Sequence, residues 1–177
     1  MSKKQRSFTS ALVKAIKETE VLWKDEKVDS ERLADRAREN NLVLDAVISE
    51  IGWPTISQVG EEAAYYAYLI ALQTEDVTKQ LGYLLLLSQN RDDIDVSWLA
   101  YLTDRVCVRQ GRPQEFGTQF ADQGDKLVLR KVKDWQEMEQ NRKLANLEPI
   151  EEYAQELAES SGVEVVLTKT KSFKPKK

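Results

Sequence analysis

Apolar residues recur at helical spacing through the first 106 residues of this chain. In the stretch 8–24, Leu12, Ile16 and Trp23 fall on one side of a helix, and lysines and glutamates fall on the other. The same spacing returns further along the chain and predicts a mainly helical protein. The further predicted helices cover residues 30–42, 43–51, 63–72, 76–88, 96–106, 134–147 and 149–160.

Local signals place the ends of several of these helices. Gly52, followed by Trp53-Pro54, is typical of a helix stop, and Gly162 ends the last helix. The run 63–72 is apolar almost all round, which favours a central buried helix. In the stretch 76–88, a face that includes Leu81 and Leu85 is expected to point inward.

The pattern changes between residues 105 and 132. Residues 105–109 and 115–120 flank the turn-rich segment 110–113, which predicts a short β-hairpin. Residues 126–132 are compatible with a third strand, and residues 163–167 with a last one. The expected fold class is therefore mainly α (α+β), a compact helical domain with a small β-hairpin or three-stranded sheet near residues 105–132.

The length of 177 residues suits one domain with short tails. We expect a basic N-terminal extension at 1–7, one mainly helical domain at 8–168 and a basic C-terminal tail at 169–177.

The two ends carry charges of +3 and +5, which leaves −12 on residues 8–168 although the whole chain carries −4. An acidic body repels phosphate backbones, so nucleic acid is expected to bind only through the tail, if at all. The competing interpretation is a solvated tail that aids solubility.

Cysteine usage and apolar runs predict a cytoplasmic protein with no membrane contact. The lone cysteine, Cys107, allows no disulfide within the chain and fits a reducing compartment. No apolar signal core follows the basic start, and the longest apolar stretch is too short to span a bilayer. Cys107 lies between Val106 and Val108 and is expected to be a buried apolar residue, not a nucleophile.

Several kinds of chemistry are excluded by residues that the sequence lacks. There is no histidine, so Ser-His-Asp and Cys-His centres are excluded, as is a standard zinc site. The two glycine-rich motifs that bind phosphate groups, Gly-x-x-x-x-Gly-Lys-Ser/Thr and Gly-x-Gly-x-x-Gly, do not occur in the sequence. No cofactor and no metal site are therefore predicted. The carboxylates Asp92, Asp93 and Asp95 lack the spacing of a calcium-binding loop and favour a solvated link.

Three polar groups interrupt structured stretches and are candidates for a site. Gln73 and Asp76 follow the most apolar helix; Asp76 more simply caps the next helix, whereas Gln73 needs partners if it is buried. Asp104 and Arg105 form either a structural ion pair or a guanidinium fork, positioned by Asp104, for a carboxylate or phosphate.

The third polar group spans residues 114–119. In a strand, Gln114 and Thr118 face one way, and Gln119 faces the other. Gly117 in such a strand marks either the close approach of a ligand or backbone, or a β-bulge beside the turn.

The order of these motifs resembles that of an uncharacterised bacterial domain family, with GWP, VG, QHxD, DR, QxYGTQ and GLxPxxEY motifs. The resemblance covers roughly residues 40–155. It implies no activity, but it implies that the three polar groups meet in space. The histidine of the family is Thr74 here and its late glycine is Asn146, and the missing histidine weighs against an enzyme. The matching motifs are Gly52-Trp53-Pro54, Val59-Gly60, Gln73 with Asp76, Asp104-Arg105, Gln114 with Phe116-Gly117-Thr118-Gln119, Arg142, and Leu147-Glu148-Pro149 with Tyr153.

Two functions are compatible with these residues, and no catalytic residue is assigned. The first is an acidic helical binding protein, similar to inhibitors and immunity proteins, which neutralises a basic protein partner. The alternative is a protein that binds an anionic small molecule, or a histidine-free enzyme in which Asp76 or Asp104 is a buried carboxylate that acts as the base. The candidate ligand-binding residues are Gln73, Asp76, Asp104, Arg105, Gln114, Thr118, Gln119 and Arg142.

Overall fold

The computed structural model describes residues 2–25 and 28–168, which form eight α-helices, one short 3₁₀ helix and three short strands. This confirms the prediction of a mainly helical fold with a small sheet. The 3₁₀ helix covers Arg91–Asp93. The other elements are α1 (Lys3–Trp23), α2 (Ser30–Ile51), α3 (Ile56–Val59), α4 (Glu61–Gln73), α5 (Val77–Gln89), α6 (Val96–Arg109), β1 (Phe120–Asp122), β2 (Lys126–Leu129), α7 (Trp135–Leu144), α8 (Ile150–Ser161) and β3 (Glu164–Val166).

The chain divides into two compact units, residues 1–95 and 96–177. The expectation of a single domain over 8–168 stays a prediction. Helix α1 begins at Lys3, so it contains most of the predicted N-terminal extension. The predicted basic tail at 169–177 lies outside the described residues.

The first unit is built around α4, as its apolar run predicts. Helices α1, α2, α3 and α5 all pack against α4. Small side chains on α4 allow close packing, because alanine keeps neighbouring helix backbones near one another. Its buried residues are Ala63, Ala64, Ala67, Tyr68, Ile70 and Ala71.

Local sequence signals predict both ends of α2, whereas α1 begins at Lys3, before its predicted start at residue 8. The Asp29 side chain caps α2 by accepting the N–H of Arg32, and Gly52 ends the same helix. The stretches 30–42 and 43–51, expected separately, are one continuous helix, because no glycine or proline interrupts them.

The predicted inward face of α5 is wrong. Gln80, Tyr83 and Leu87 are buried, whereas Leu81 and Leu85 are exposed. The amide nitrogen of Gln80 donates to the carbonyls of Ala71 and Leu72, so the end of α4 decides which face of α5 is buried.

In the second unit, the hairpin predicted around residues 110–113 is wrong. Residues 105–109 continue α6, whose helical spacing buries Leu102 and Val106. The N–H of Arg112 donates to the carbonyl of Cys107 and closes the end of that helix (2.8 Å). Residues 115–119 form a loop, and the actual hairpin joins β1 to β2. Strand β3 lies parallel to β2, so the predicted last strand is confirmed.

The core of the second unit lies between this sheet and its helices. Leu129, Val132, Met138 and Ile150 form the buried cluster, against which Phe120 and Tyr153 pack among others. Within the described residues, no helix is both long enough and apolar enough to cross a membrane.

Candidate functional site

The carboxylate of Asp104 organises the loop that follows α6. Asp104 is fully buried (0% exposed). Its Oδ1 atom accepts the N–H groups of Glu115 (2.8 Å) and Phe116 (3.1 Å). Its Oδ2 atom accepts both the N–H (2.8 Å) and the hydroxyl (3.0 Å) of Thr118. Burial raises the pKa of Asp104 and these hydrogen bonds oppose the rise. With four donors already bound, the carboxylate is suited to holding the loop.

Gln114 joins the same loop to the segment after β2. The side chain is fully buried, and its Nε2 atom donates to the carbonyls of Gln119 (3.0 Å) and Arg130 (2.9 Å). Its Oε1 atom accepts the N–H of Gln119 (2.7 Å). The backbone of Gln114 also exchanges hydrogen bonds with Lys131 and Lys133. The amide therefore completes backbone pairing that the loop cannot make by itself.

Arg142 holds the loop from its other side. It is 1% exposed, and its Nε and Nη1 atoms donate to the carbonyls of Glu148 (2.6 Å) and Phe116 (2.9 Å). Its guanidinium lies 5.1 Å from the ring centre of Tyr153. Burial lowers the pKa of Arg142, while nearby acidic groups, Glu139 first among them, raise it. The described hydrogen bonds of Arg142 are thus made with backbone oxygens of its own unit.

Arg105 differs from Asp104, Gln114 and Arg142 because part of its hydrogen-bonding capacity is unused among the described residues. Its Nη1 atom donates to Oε1 of Gln119 (3.3 Å), and the Nε2 atom of Gln119 donates to the Thr118 hydroxyl (3.2 Å). The structural ion pair with Asp104 is not formed among the described residues, because the carboxylate faces the loop instead. The Nε atom of Arg105 is buried and has no partner in the described part of the chain.

The remaining candidates, Gln73 and Asp76, belong to the first unit. Oδ1 of Asp76 accepts the N–H groups of Thr78 (2.9 Å) and Lys79 (3.1 Å), so the capping interpretation is confirmed. Gln73 is half-buried in the last turn of α4. The meeting of these two residues with the other six stays a prediction.

Thr74 occupies the position that the resemblance gives to histidine. It is buried, and its hydroxyl lies 2.7 Å from Oδ1 of Asn41 and 2.9 Å from the carbonyl of Ile70. The side chain thus joins the end of α4 to α2. A hydroxyl of this kind supplies a hydrogen bond but no proton transfer near neutral pH.

A cleft in the first unit was missed by the sequence analysis. It has a volume of about 460 Å³ and lies between α2 and the start of α5. Its rim contains charges that already have partners, since Lys79 pairs with Asp45 and Arg38 pairs with Asp35. Asp76 is the one candidate residue among those that line it, and the other lining residues belong to no motif because they lie far apart in sequence. The lining residues are Ala34, Ala37, Arg38, Asn41, Leu42, Glu75, Asp76 and Lys79.

One comparison with known proteins gives a result. Residues 9–166 match a family of unknown function, DUF6624. The chain belongs to DUF6624. This membership confirms the resemblance to an uncharacterised family, and the match spans all eight candidate residues. No curated protein and no solved structure matches the chain. The function of this DUF6624 member is therefore argued from its own residues.

The side chains of this DUF6624 protein that could bind a metal ion or act as a nucleophile have other contacts in the structure. Within residues 2–25 and 28–168, no group of three or more His, Cys, Asp or Glu side chains could hold a metal ion. Asp93 instead accepts the N–H and the hydroxyl of Ser57. Cys107 is buried as predicted, and burial raises the pKa of its thiol.

Helix α8 gives the DUF6624 protein a strongly acidic surface. Its buried side carries Ile150 and Ala154, and it contains no lysine or arginine. Among the described ion pairs, none involves Glu152, Glu156 or Glu159. We call its four exposed glutamates the acidic ridge: Glu151, Glu152, Glu156 and Glu159.

Proposed function

We propose that this protein is a binding protein, not an enzyme, and that its acidic ridge recognises a basic protein partner in the cytoplasm. The observation that carries the proposal is the exposure of four glutamates on a helix that has no basic residue. Such an acidic surface steers a basic partner into contact and fixes the orientation of binding.

The presence of all four glutamates on α8 is not explained by a contribution to the stability of the helix. Glu151 and Glu152 lie in the first turn, where negative charge favours a helix. Glu156 and Glu159 lie nearer the C-terminal end, where negative charge is unfavourable, and Glu152 repels Glu156 one turn away. A partner with lysines or arginines would relieve this repulsion, so binding gives the ridge a role that folding does not.

The candidate polar residues favour binding over catalysis. Of the two bases suggested by sequence, Asp76 caps α5, and Asp104 has its carboxylate occupied by four hydrogen bonds from its own loop. The chain has no histidine to replace it. Ile150 and Ala154 fix α8 to the second unit and make the ridge a firm surface for a partner.

The test is native mass spectrometry of the full chain purified from its own host. The wild type is compared with Glu152→Lys/Glu156→Lys and with the matched control Glu75→Lys/Asp92→Lys. The control makes the same change of charge at two exposed acids of the first unit. We expect the wild type and the control to carry a second, basic polypeptide that the ridge variant lacks.

The complex should also weaken when the salt concentration rises from about 0.05 M to about 0.5 M, because salt screens exposed charges. A partner that stays bound to the ridge variant would show that another surface binds it. A wild-type protein that carries no second polypeptide at low salt would also contradict the proposal.

A further inference from the structure

Two arginines of the second unit, Arg105 and Arg130, contact Gln119, and Arg109 lies one turn from Arg105. Arg105 and Arg109 are one turn apart on α6, so their side chains leave the helix on the same side. The N–H of Arg130, directly after β2, donates to the carbonyl of Gln119 (3.1 Å). The side-chain oxygen of the same glutamine accepts from Arg105 (3.3 Å). Gln119 therefore links α6 to the end of β2 at this cluster.

The guanidinium of Arg105 has unused binding capacity. A guanidinium offers five N–H donors in a planar fork. Arg105 makes one hydrogen bond among the described residues, and at 3.3 Å it is long for this type of bond. Its Nε atom is buried without an acceptor in the same part of the structure. A buried donor in this state favours a ligand that brings oxygen atoms.

Positive charge at this cluster is not balanced by the acid beside it in sequence. The carboxylate of Asp104 is turned toward the loop and bound by four donors there. Burial, and then the charges of Arg109 and Arg130, lower the pKa of Arg105. An anion at the cluster would offset the repulsion that Arg109 and Arg130 exert on Arg105.

We propose that Arg105, Arg109 and Arg130 form a binding site for a phosphate-type oxyanion, free or carried by a small molecule. The fork of Arg105 supplies parallel N–H groups to two oxygens of the anion. Arg130 is exposed and adds charge from the solvent side. Three guanidinium groups suit a doubly charged phosphate better than a singly charged carboxylate.

Gln119 is a positioning residue at this site. Its amide oxygen accepts from Arg105 and its amide nitrogen donates to the Thr118 hydroxyl, so both ends of the amide are engaged. The hydrogen bonds of Asp104 and Gln114 in turn fix the loop that carries Gln119. These contacts orient the Arg105 fork before any ligand arrives. The site does not depend on the acidic ridge or on its partner.

The test is a titration of the ¹⁵N-labelled full chain with inorganic phosphate, followed by nuclear magnetic resonance. A second titration uses glycerol phosphate, and sodium chloride at equal ionic strength corrects for screening. We expect saturable shifts of the N–H signals of Arg105, Gln119 and Arg130 with at least one phosphate compound and not with chloride. Binding of glycerol phosphate alone would show that the site takes phosphate carried by a larger molecule.

Two variants and one control complete the test. Arg105→Gln should weaken binding at least about tenfold, because it removes the charged fork. Arg130→Gln should weaken it about threefold or more; its exposed side chain makes this variant safe for folding, because the hydrogen bonds of residue 130 come from its backbone. Arg91→Gln, at an exposed arginine of the first unit, should bind like wild type. Absence of saturable shifts with both compounds, or equal binding by Arg130→Gln and wild type, would overturn the proposal.

Discussion

One carboxylate oxygen of Asp104 accepts both the backbone N–H and the side-chain hydroxyl of Thr118, at 2.8 and 3.0 Å. The other oxygen accepts two more backbone N–H groups, from Glu115 and Phe116. A residue on α6 therefore determines the path of a loop that begins six residues after the helix ends. An ionised carboxylate has acceptor sites on both oxygens and no donor of its own, so it can satisfy all four of these groups.

This arrangement predicts that Asp104→Asn lowers the free energy of unfolding by about 2–4 kcal/mol, because an amide nitrogen cannot accept the two donors of Thr118. Urea denaturation of the full chain measures the difference. Asp92→Asn, at an exposed carboxylate, is the control and should change the free energy by less than about 0.5 kcal/mol. A loss below about 1 kcal/mol for Asp104→Asn would contradict the structural role of this carboxylate.

Gly117 lets the same loop lie against the core. Its φ is +68°, and a Cβ atom at this position would lie 2.6 Å from Sδ of Met138. Gly117→Ala therefore combines a disfavoured backbone conformation with a steric clash, and we expect a loss of about 3 kcal/mol or more in the free energy of unfolding.

Gly111→Ala is the matched control for this substitution. Gly111 has nearly the same φ, +69°, but no atom lies within 4 Å of its Cβ position. The control should therefore show only the backbone cost, about 1–2 kcal/mol. Equal losses in thermal or urea unfolding of the two variants would show that contact with Met138 does not limit this position.

Local signals in the sequence predict most of the helices but place both strands of the expected hairpin, 105–109 and 115–120, wrongly. Asp29, Gly52 and Asp76 mark helix ends because their effects act within one turn. Residues 105–109 are predicted as a strand because Val106 and Val108 favour strands, yet they continue α6 because its helical face packs in the core. The buried face of α5 was also missed, since it depends on hydrogen bonds between Gln80 and the end of α4.

The candidate site could be identified from the sequence only as a set of polar residues. Asp104 binds Thr118, and Gln114 binds the backbone of Gln119, so these side chains hold their own loop. Arg105 is the direct neighbour of Asp104 in the sequence, and yet its buried Nε atom has no hydrogen-bond partner among the described residues. The sequence could not separate these cases, because the hydrogen bonds of each side chain depend on loop geometry set by residues 10 or more positions away.

The substitution Arg142→Lys tests whether the stability of the second unit depends on the planar guanidinium group of this residue. Arg142→Lys keeps the charge but cannot reach the carbonyls of Phe116 and Glu148 together, so we expect a loss of about 1.5–3 kcal/mol in the free energy of unfolding. The control is Arg112→Lys, at an exposed arginine, which should cost less than about 0.5 kcal/mol. Chemical denaturation with both variants at the same pH is the measurement. Equal stability of Arg142→Lys and wild type would show that one of the two carbonyl contacts is dispensable.

Asp93 should make the first unit sensitive to acid. The hydroxyl of Ser57, and then that of Thr55, hold the pKa of Asp93 below its usual value. Because the folded-state pKa is lowered, the stabilisation is fully present above the unfolded-state pKa of about 3.9 and is lost as the pH falls through the folded-state value. The difference in free energy of unfolding between wild type and Asp93→Asn should therefore stay constant from about pH 7 to about pH 5 and shrink below about pH 4.

Ser57→Ala is the matched variant for this pH dependence. It keeps the carboxylate but removes the hydroxyl that contributes most to the lowered pKa, so it should lose part of the same pH-dependent difference. Urea unfolding at a series of pH values between about 7 and 2.5 measures all three proteins across the window set by the unfolded-state pKa. A wild-type advantage over Asp93→Asn that is as large at the lowest pH as at neutral pH would show that packing, not ionisation, accounts for the contribution of Asp93.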